Sequence, residues 1–292
     1  MLSMNAVRTF LEVARTGSVR EAAERLVVSQ PAVSAALGGL ARTVGAPLVE
    51  RDGRGVRLTA AGRALETYGR RIVALLDEAV AEARSAGASG PSRLRLAAVT
   101  TGAEAVLPEL LRDFSALHPV ADVVLDVANK DQVWERLDRW EADLVLAGRP
   151  PLGGPFVSRA VRGNAVVIVA APGRSYTLDD LAEVSWLLRE RGSGTRETTE
   201  FVLAELGIAP PTTTIGSNGA IRACVRVGLG VSLLSRDAVA HDLAEGMLVE
   251  VPTPITPLVR DWHLVAHADR PLVPGAQRFL EHVIAHGAFE RA

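Results

Sequence analysis

The sequence predicts an α/β protein with an all-α N-terminal module. Residues 1–58 carry the start, stop and turn signals of short helices and a hairpin, whereas residues 93–147 alternate apolar extended segments with amphipathic helical ones. A chain of 292 residues is long enough for two or three compact units, each with its own core. Hydrophobic residues make up 48% of the chain and charged residues 23%, which is typical of a globular protein.

Two short helices are predicted between residues 18 and 42. Ser18 followed by Glu21 is the pattern of a capping box at the start of the first helix. Ser29 can cap the second helix, with Pro31 in the first turn, where a missing N–H costs little. The second helix has an apolar stripe at spacings of four and three residues, formed by Val33, Leu37 and Leu40. The pair is either an ordinary helical hairpin or a DNA-binding helix-turn-helix.

The outward face of the second helix starts with small polar groups, which suit a helix that enters the DNA major groove. The candidate DNA-contacting residues on this helix are Ser29, Gln30, Pro31 and Ser34. Residues 46–58 then form two short extended segments around Asp52-Gly53, which is the signal of a hairpin and hence of a wing. Arg51 and Arg54 on this wing are placed to reach a DNA backbone or minor groove, or else are solvated surface arginines. Residues 1–58 are thus predicted to form a winged helix-turn-helix domain with double-stranded operator DNA as its partner.

A long helix without proline is predicted to start after Thr59, which can serve as its cap. Its apolar residues form a long, narrow stripe that includes Leu65, Ile72, Leu76 and Ala79. A long helix with such a stripe and no domain of its own normally pairs with another helix. Residues 59–91 are therefore predicted to be a dimerisation helix and linker, ending in the linker sequence GASGPS at 87–92.

From residue 93 onward, strands and helices alternate in two sets. The first set, residues 93–147, reads strand, helix, strand, helix, strand and predicts a parallel sheet with helices on its faces. The second set covers residues 164–234 and is followed by strands near 247–251 and 262–267 and a final helix at 275–286. This return of the chain predicts two lobes, as in periplasmic solute-binding proteins. The predicted boundaries are 92–161 with 267–292 for the first lobe, and 162–266 for the second.

Four stretches are predicted to meet in the cleft between the lobes, at the carboxyl ends of the strands. They contribute the candidate effector-binding residues Thr100, Thr101, Gly102, Arg149, Ser193, Gly194, Thr195, Arg196, Ser217 and Asn218. Hydroxyls and free N–H groups at helix starts favour an anion, and Arg149 or Arg196 could add a bidentate charge. None of the four stretches carries a carboxylate, so the predicted ligand is a small anionic metabolite. The alternative is that each stretch only caps a helix.

Composition and motifs argue against other classes of protein. The net charge is −2, yet residues 1–58 hold eight arginines against five acidic residues, and two such modules in a dimer would add their phosphate contacts. The single cysteine, Cys224, excludes an internal disulfide and a CxxC metal site. No P-loop, GxSxG, GxGxxG or HExxH motif occurs, so we predict no catalytic residue, no metal and no cofactor. Without an apolar run of about 18 residues or a basic-then-apolar leader, we predict a cytoplasmic protein with no membrane partner.

Residues 10–40, FLEVARTGSVREAAERLVVSQPAVSAALGGL, together with Gly45, Arg51 and LTAAG at 58–62, resemble the N-terminal module of LysR-type transcriptional regulators. The resemblance implies that Arg54 matches the wing arginine that contacts DNA and that the four cleft stretches match effector-contacting segments. It also implies a homotetramer built as a dimer of dimers, which bends its operator, and a C-terminal helix packed on the first lobe. The strings KDQVWERL and ADLVLAGRPP are similar to regulators of carbon-dioxide-fixation operons. The competing hypotheses are a small-molecule receptor with no DNA role and an enzyme with a helical appendage.

Overall fold

A computed structural model describes residues 3–53, 55–85, 93–119 and 121–292. Arg54 of the predicted wing and the predicted linker sequence at 87–92 lie outside the described residues. The chain divides into two compact units, one made of Met1–Gly90 with Arg139–Glu141 and the other of Pro91–Asp138 with Ala142–Ala292.

The N-terminal unit is a helical module with a hairpin and a long final helix. Its elements are α1 (Met4–Thr16), α2 (Val19–Leu26), α3 (Gln30–Val44), β1 (Val49–Asp52), β2 (Gly55–Leu58) and α4 (Ala60–Ser85). Helix α1 packs on α2, α3 and α4. The predicted stripe of α3 is confirmed, because Val33, Leu37 and Leu40 are all buried in this core.

Serine caps begin both α2 and α3. The Ser18 and Ser29 hydroxyls each accept a hydrogen bond of 3.3 Å from a backbone N–H three residues further on. The Glu21 carboxylate faces Arg25 at 3.8 Å instead of completing the predicted capping box. Between the two helices, Val27 has a left-handed backbone with φ of 56°. A non-glycine residue there costs roughly 1–2 kcal/mol, so the turn is held by the packing of the helices around it.

The predicted wing is confirmed as an antiparallel hairpin of β1 and β2. Its register runs from the pair Val49–Leu58 to the pair Asp52–Gly55. The Val56 N–H donates a 2.8 Å hydrogen bond to the Gly17 carbonyl, which fixes the hairpin against the end of α1.

Helix α4 begins at a threonine cap and has two apolar sides. The Thr59 hydroxyl oxygen accepts a 3.0 Å hydrogen bond from the Gly62 N–H, as predicted. A Cβ at Gly62 would lie 2.0 Å from the Leu48 carbonyl oxygen, so this close approach requires glycine. Leu65, which we predicted to lie in the pairing seam, packs with Val73 against the N-terminal core instead. Large apolar side chains on the other side stay exposed in a single chain, namely Ile72, Leu75, Leu76 and Val80.

The second unit contains two α/β lobes. Lobe I begins with β3 (Arg93–Val99), α5 (Thr100–Ala105), α6 (Leu107–Leu117), β4 (Asp122–Ala128), α7 (Lys130–Asp138), β5 (Leu144–Ala147) and β6 (Phe156–Arg162). Lobe II follows with β7 (Ala165–Ala170), α8 (Leu178–Glu183), β8 (Trp186–Leu188), α9 (Gly194–Leu206), β9 (Thr212–Thr214), α10 (Asn218–Arg226), β10 (Ser232–Ser235), α11 (Arg236–Ala244), β11 (Val249–Val251) and β12 (Leu258–Val259). The chain then returns to lobe I with β13 (Trp262–His267), α12 (Pro274–Ala285) and β14 (Glu290–Arg291).

Lobe I is built on a sheet whose strands, among the described residues, lie in the order β14-β6-β13-β5-β3-β4. Strand β3 is parallel to β4 and β5, as predicted, whereas β13 is antiparallel to β5 and β6. The predicted boundary that gave residues 162–266 to the second lobe is therefore wrong for 262–266. These residues belong to lobe I because the side chains of Trp262 and Leu264 are buried in its core. The same core contains Phe279, so α12 packs on the first lobe as predicted.

Lobe II is organised around β7, which pairs antiparallel with β10, β11 and β12. Strands β8 and β9 are parallel to each other.

The predicted single helix at 103–117 is interrupted at Val106, which separates α5 from α6. Among the described residues, every helix is too short or too polar to span a membrane.

Candidate functional site

The exposed face of α3 begins at its first turn. The side chains of Ser29, Gln30, Pro31 and Ser34 are all exposed, as predicted for residues that meet DNA. The Ser29 hydroxyl is engaged as the helix cap by the Ala32 N–H, whereas Gln30 is the first residue of the helix itself. Recognition helices contact base edges with their N-terminal residues. The position of Gln30 therefore fits a direct contact with bases.

The wing presents one cation without a carboxylate partner within the described part of the hairpin. Arg57 on β2 is held by Glu50 on β1 at 3.1 Å. Arg51 on β1 is exposed, and its guanidinium forms no ion pair with any described residue. Of the two predicted wing contacts, Arg51 can thus reach a phosphate, while Arg54 lies outside the described residues.

A cavity of about 210 Å³ lies between lobes I and II. On the lobe I side, its wall is formed where β3, β4 and β5 end, because the carboxyl ends of neighbouring parallel strands meet at one edge. On the lobe II side, the start of α9 and the residue after β8 complete the wall. The polar lining residues are Thr100, Thr101, Asn129, Lys130, Arg149, Arg189, Ser193, Thr195 and Arg260.

Four cationic side chains line this cavity, and two of them have carboxylate partners. The Arg189 guanidinium binds both carboxylate oxygens of Glu190, at 2.8 and 3.0 Å. The Lys130 Nζ lies 2.6 Å from the Glu197 carboxylate. Among the described residues, neither Arg149 nor Arg260 forms an ion pair. The cavity therefore offers two guanidinium groups to an anion.

Arg260 is partly buried in the cavity wall. Burial lowers the pKa of its guanidinium, and the nearby charge of Glu197 opposes that shift. Its Nη1 donates a 2.9 Å hydrogen bond to the Gly194 carbonyl, which fixes the side chain across the start of α9. A Cβ at Gly194 would lie 2.5 Å from the Arg260 Nη2, so the predicted site residue Gly194 makes room for this arginine. A desolvated charge that forms no ion pair with any described residue favours an anion that enters the cavity.

Asn218 lies behind the cavity wall and connects the two lobes. It is fully buried at the start of α10, and its Oδ1 accepts a 2.6 Å hydrogen bond from the Arg189 Nη1. Its Nδ2 donates a 2.9 Å hydrogen bond to the Thr101 Oγ1 in lobe I. Asn218 therefore holds Arg189 toward the cavity and does not line the cavity itself.

Six of the ten predicted effector-contacting residues line the cavity, namely Thr100, Thr101, Arg149, Ser193, Gly194 and Thr195. The other four do not. Gly102 packs against Leu146 and Trp262, and Ser217 caps α10. Arg196 turns away from the cavity, because its Nη1 donates to the Arg189 carbonyl and its Nε to Glu200. Asn218, the fourth of these residues, holds Arg189 from behind the wall.

Sequence reasoning missed several lining residues. Asn129 and Lys130 directly follow β4, so the rule that found Thr100 and Arg149 also covers them. Arg260 has no such signal, because it lies in the segment through which the chain returns to lobe I. Within the described residues, no group of three or more His, Cys, Asp or Glu side chains is placed to hold a metal ion.

An exposed helix-turn-helix with a wing, followed by two lobes around a cationic cavity, defines a transcription regulator with its own small-molecule-binding domain. Residues 4–63 match the family model described as bacterial regulatory helix-turn-helix protein, lysR family, and residues 87–288 match the model described as LysR substrate binding domain. The chain belongs to the LysR family of DNA-binding transcriptional regulators. The resemblance read from the sequence is confirmed, and the family is one of regulators rather than enzymes.

Individual relatives extend this result over the whole chain. The HTH-type transcriptional activator CmpR of Synechocystis sp. is 32% identical over 97% of this chain and 95% of its own. A RuBisCO operon transcriptional regulator of Allochromatium vinosum is 34% identical over 98% and 97% of the two chains. The structure of the Synechocystis PCC6803 CcmR regulatory domain in complex with 2-PG is 29% identical, with a TM-score of 0.61, and covers 66% of this chain and 96% of that one. The predicted similarity to regulators of carbon-dioxide-fixation operons is confirmed by these relatives.

Proposed function

We propose that this regulator senses a small anionic metabolite in the cavity between lobes I and II. The observation that carries the proposal is the half-buried Arg260 guanidinium, which faces the cavity without a carboxylate partner among the described residues. Hydroxyl groups in the lining of the same cavity can complete the binding of an anion, and they belong to Thr100, Thr101, Ser193 and Thr195. The complex of the CcmR regulatory domain with 2-PG supports a small-molecule ligand for a domain of this kind.

Ligand binding would act on DNA by shifting the population of lobe arrangements. A ligand that contacts residues of both lobes binds one arrangement more tightly than the other, and only this difference in affinity can move the equilibrium. The winged module would bind operator DNA through Gln30, Ser34 and Arg51. Two such modules would be joined through the exposed apolar side of α4 in a homodimer, and two dimers would form a homotetramer. A regulator of this kind acts on DNA in the cytoplasm.

Replacing Arg260 tests the anion site directly. We expect Arg260→Gln to weaken binding of 2-PG to the full-length protein by about 1.5–3 kcal/mol, or roughly 10- to 150-fold, because a hydrogen bond to a charged group is lost. Isothermal titration calorimetry measures this affinity. Arg149→Gln should also weaken binding, and it removes a charge without disturbing the Gly194 contact.

Arg236→Gln is the matched control, since Arg236 is an exposed lobe II arginine paired with Glu250 at 2.8 Å. It should bind 2-PG as wild type does. Thermal unfolding of each variant shows whether the fold is retained. If folded Arg260→Gln and Arg149→Gln proteins bind 2-PG as tightly as wild type, the ligand does not occupy this cavity.

A further inference from the structure

A carboxylate from lobe II reaches one of the cavity cations. Glu197 lies in the first turn of α9, and its Oε2 is 2.6 Å from the Nζ of Lys130, the first residue of α7 in lobe I. Lys130 lines the cavity, whereas Glu197 does not. The charge of Glu197 also raises the pKa of Arg260 against the effect of burial, so this carboxylate acts on two cavity cations. The sequence did not indicate this contact, because Glu197 directly follows the predicted stretch that ends at Arg196 and does not belong to it.

The Lys130–Glu197 pair is suited to exchange. The side chains of Lys130 and Glu197 are 34% and 51% exposed, and ion pairs with such exposure contribute little to stability because water and salt screen them. The Arg189–Glu190 pair differs, since Arg189 is only 4% exposed and is also bound by Asn218. One cavity cation therefore has a fixed counter-ion, and another has a counter-ion that can leave.

We propose that Glu197 is a built-in competitor of the effector, which occupies Lys130 in the ligand-free protein and is displaced when an anion binds there. This inference rests on the proposed anion site and adds a residue that sets its affinity and selectivity. Displacement of Glu197 frees Lys130, which then joins Arg149 and Arg260 as lining cations that have no carboxylate partner among the described residues, so a doubly charged anion matches the cavity. A singly charged anion gains less from the cavity and offsets the lost ion pair less well.

The exchange also changes what joins the lobes. Before binding, Lys130 in lobe I is paired directly with Glu197 in lobe II. After binding, the anion would connect Lys130 to the hydroxyls and arginines of both walls. Displacement of Glu197 thus couples occupancy of the cavity to a direct contact between the lobes, so the ligand would bind different lobe arrangements with different affinities.

The test compares two acidic residues on the same helix. Glu197→Gln and Glu200→Gln each remove one negative charge from α9, and the two side chains are similarly exposed at 51% and 53%. Glu200 pairs with Arg196, which faces away from the cavity. Calorimetric titration of the full-length protein with 2-PG and with inorganic phosphate should show about two- to fivefold tighter binding for Glu197→Gln and little change for Glu200→Gln.

A double-mutant cycle separates competition from a general change in charge. In a Lys130→Gln background, Glu197→Gln should tighten binding less than it does in wild type, because the pair that it breaks is already absent and only its effect on Arg260 remains. Binding of a probe to Glu197→Gln but not to wild type also supports the proposal. If Glu197→Gln matches Glu200→Gln, or binds more weakly than wild type, the competitor role is wrong while the anion site stands. If neither probe binds wild type or any variant, the anion site itself fails, and the role of Glu197 fails with it.

Discussion

Gln30 stands exposed at the first residue of α3, where recognition helices meet base edges. A carboxamide can form two hydrogen bonds with adenine in the major groove. We expect Gln30→Ala to weaken binding to the DNA upstream of the protein's own gene by about 1–3 kcal/mol, while binding to random DNA changes little. Fluorescence anisotropy with both DNAs at fixed salt measures the difference.

The comparison for this variant is Arg51→Ala on the wing. Because Arg51 is exposed on the wing, where we expect a contact with a phosphate rather than a base, its loss should weaken binding to both DNAs and lower the salt slope by about one unit. Equal losses on both DNAs for Gln30→Ala would show that α3 does not read bases at this position.

Residues that line the cavity were predictable where they directly follow a strand of the parallel part of the sheet. Thr100 follows β3 and Arg149 comes shortly after β5, so strand order alone placed both at the cleft. Arg260 could not be found in this way, since its position depends on how the chain returns from lobe II to lobe I. Asn218 was expected to contact the ligand, but its amide is used for bonds to Arg189 and Thr101.

Among the elements, α4 carries the contact that the proposed dimer needs. Ile72 is 44% exposed on this helix in a single chain, beside the exposed Leu75 and Leu76. Replacing Ile72 with Asp would place an unpaired charge in an apolar helix interface, at a cost on the order of several kcal/mol. We expect Ile72→Asp to reduce the mass of the assembly in analytical ultracentrifugation and to lose operator affinity, because paired half-sites are no longer bound together.

Ile72→Leu serves as the control, since it keeps an apolar side chain of similar volume. This variant should assemble as wild type does, and thermal unfolding should show that both variants are folded. An Ile72→Asp protein with the mass of wild type would place the dimer contact elsewhere than this side of α4.

An element was predictable from the sequence where its own residues form a buried apolar run. It was not predictable where it depends on pairing with segments that are distant in sequence. Strands β3 and β5 were found because their buried apolar runs are visible in the sequence itself. Strand β6 was missed because its FVSRAVR sequence includes two arginines and only Ala160 is fully buried. It becomes a strand by pairing with β13 and β14, which are distant in sequence. Helix α11 was missed for a similar reason, since only Val239 and Asp242 are buried.

In the molecule as a whole, hydrogen bonds within the second unit join lobe I directly to lobe II. Trp262 in lobe I donates a 2.9 Å hydrogen bond to Asp237 in lobe II, and Asn218 in lobe II donates to Thr101 in lobe I. These direct bonds hold one arrangement of the lobes, and a ligand that adds to them or replaces them changes the balance between arrangements. We therefore expect an anion in this cavity to control binding to DNA.

The most direct test of this claim is the affinity of the full-length protein for its upstream DNA, measured by fluorescence anisotropy with and without saturating 2-PG at constant ionic strength. Coupling between two sites is typically 1–3 kcal/mol, so 2-PG should change the DNA affinity of wild type by about 5- to 150-fold. At a 2-PG concentration that just saturates wild type, Arg260→Gln should respond much less, because the loss of this cation weakens anion binding about 10- to 150-fold. An equal change in wild type and folded Arg260→Gln, or no change in wild type that calorimetry shows to be saturated with 2-PG, would contradict control of DNA binding through this cavity.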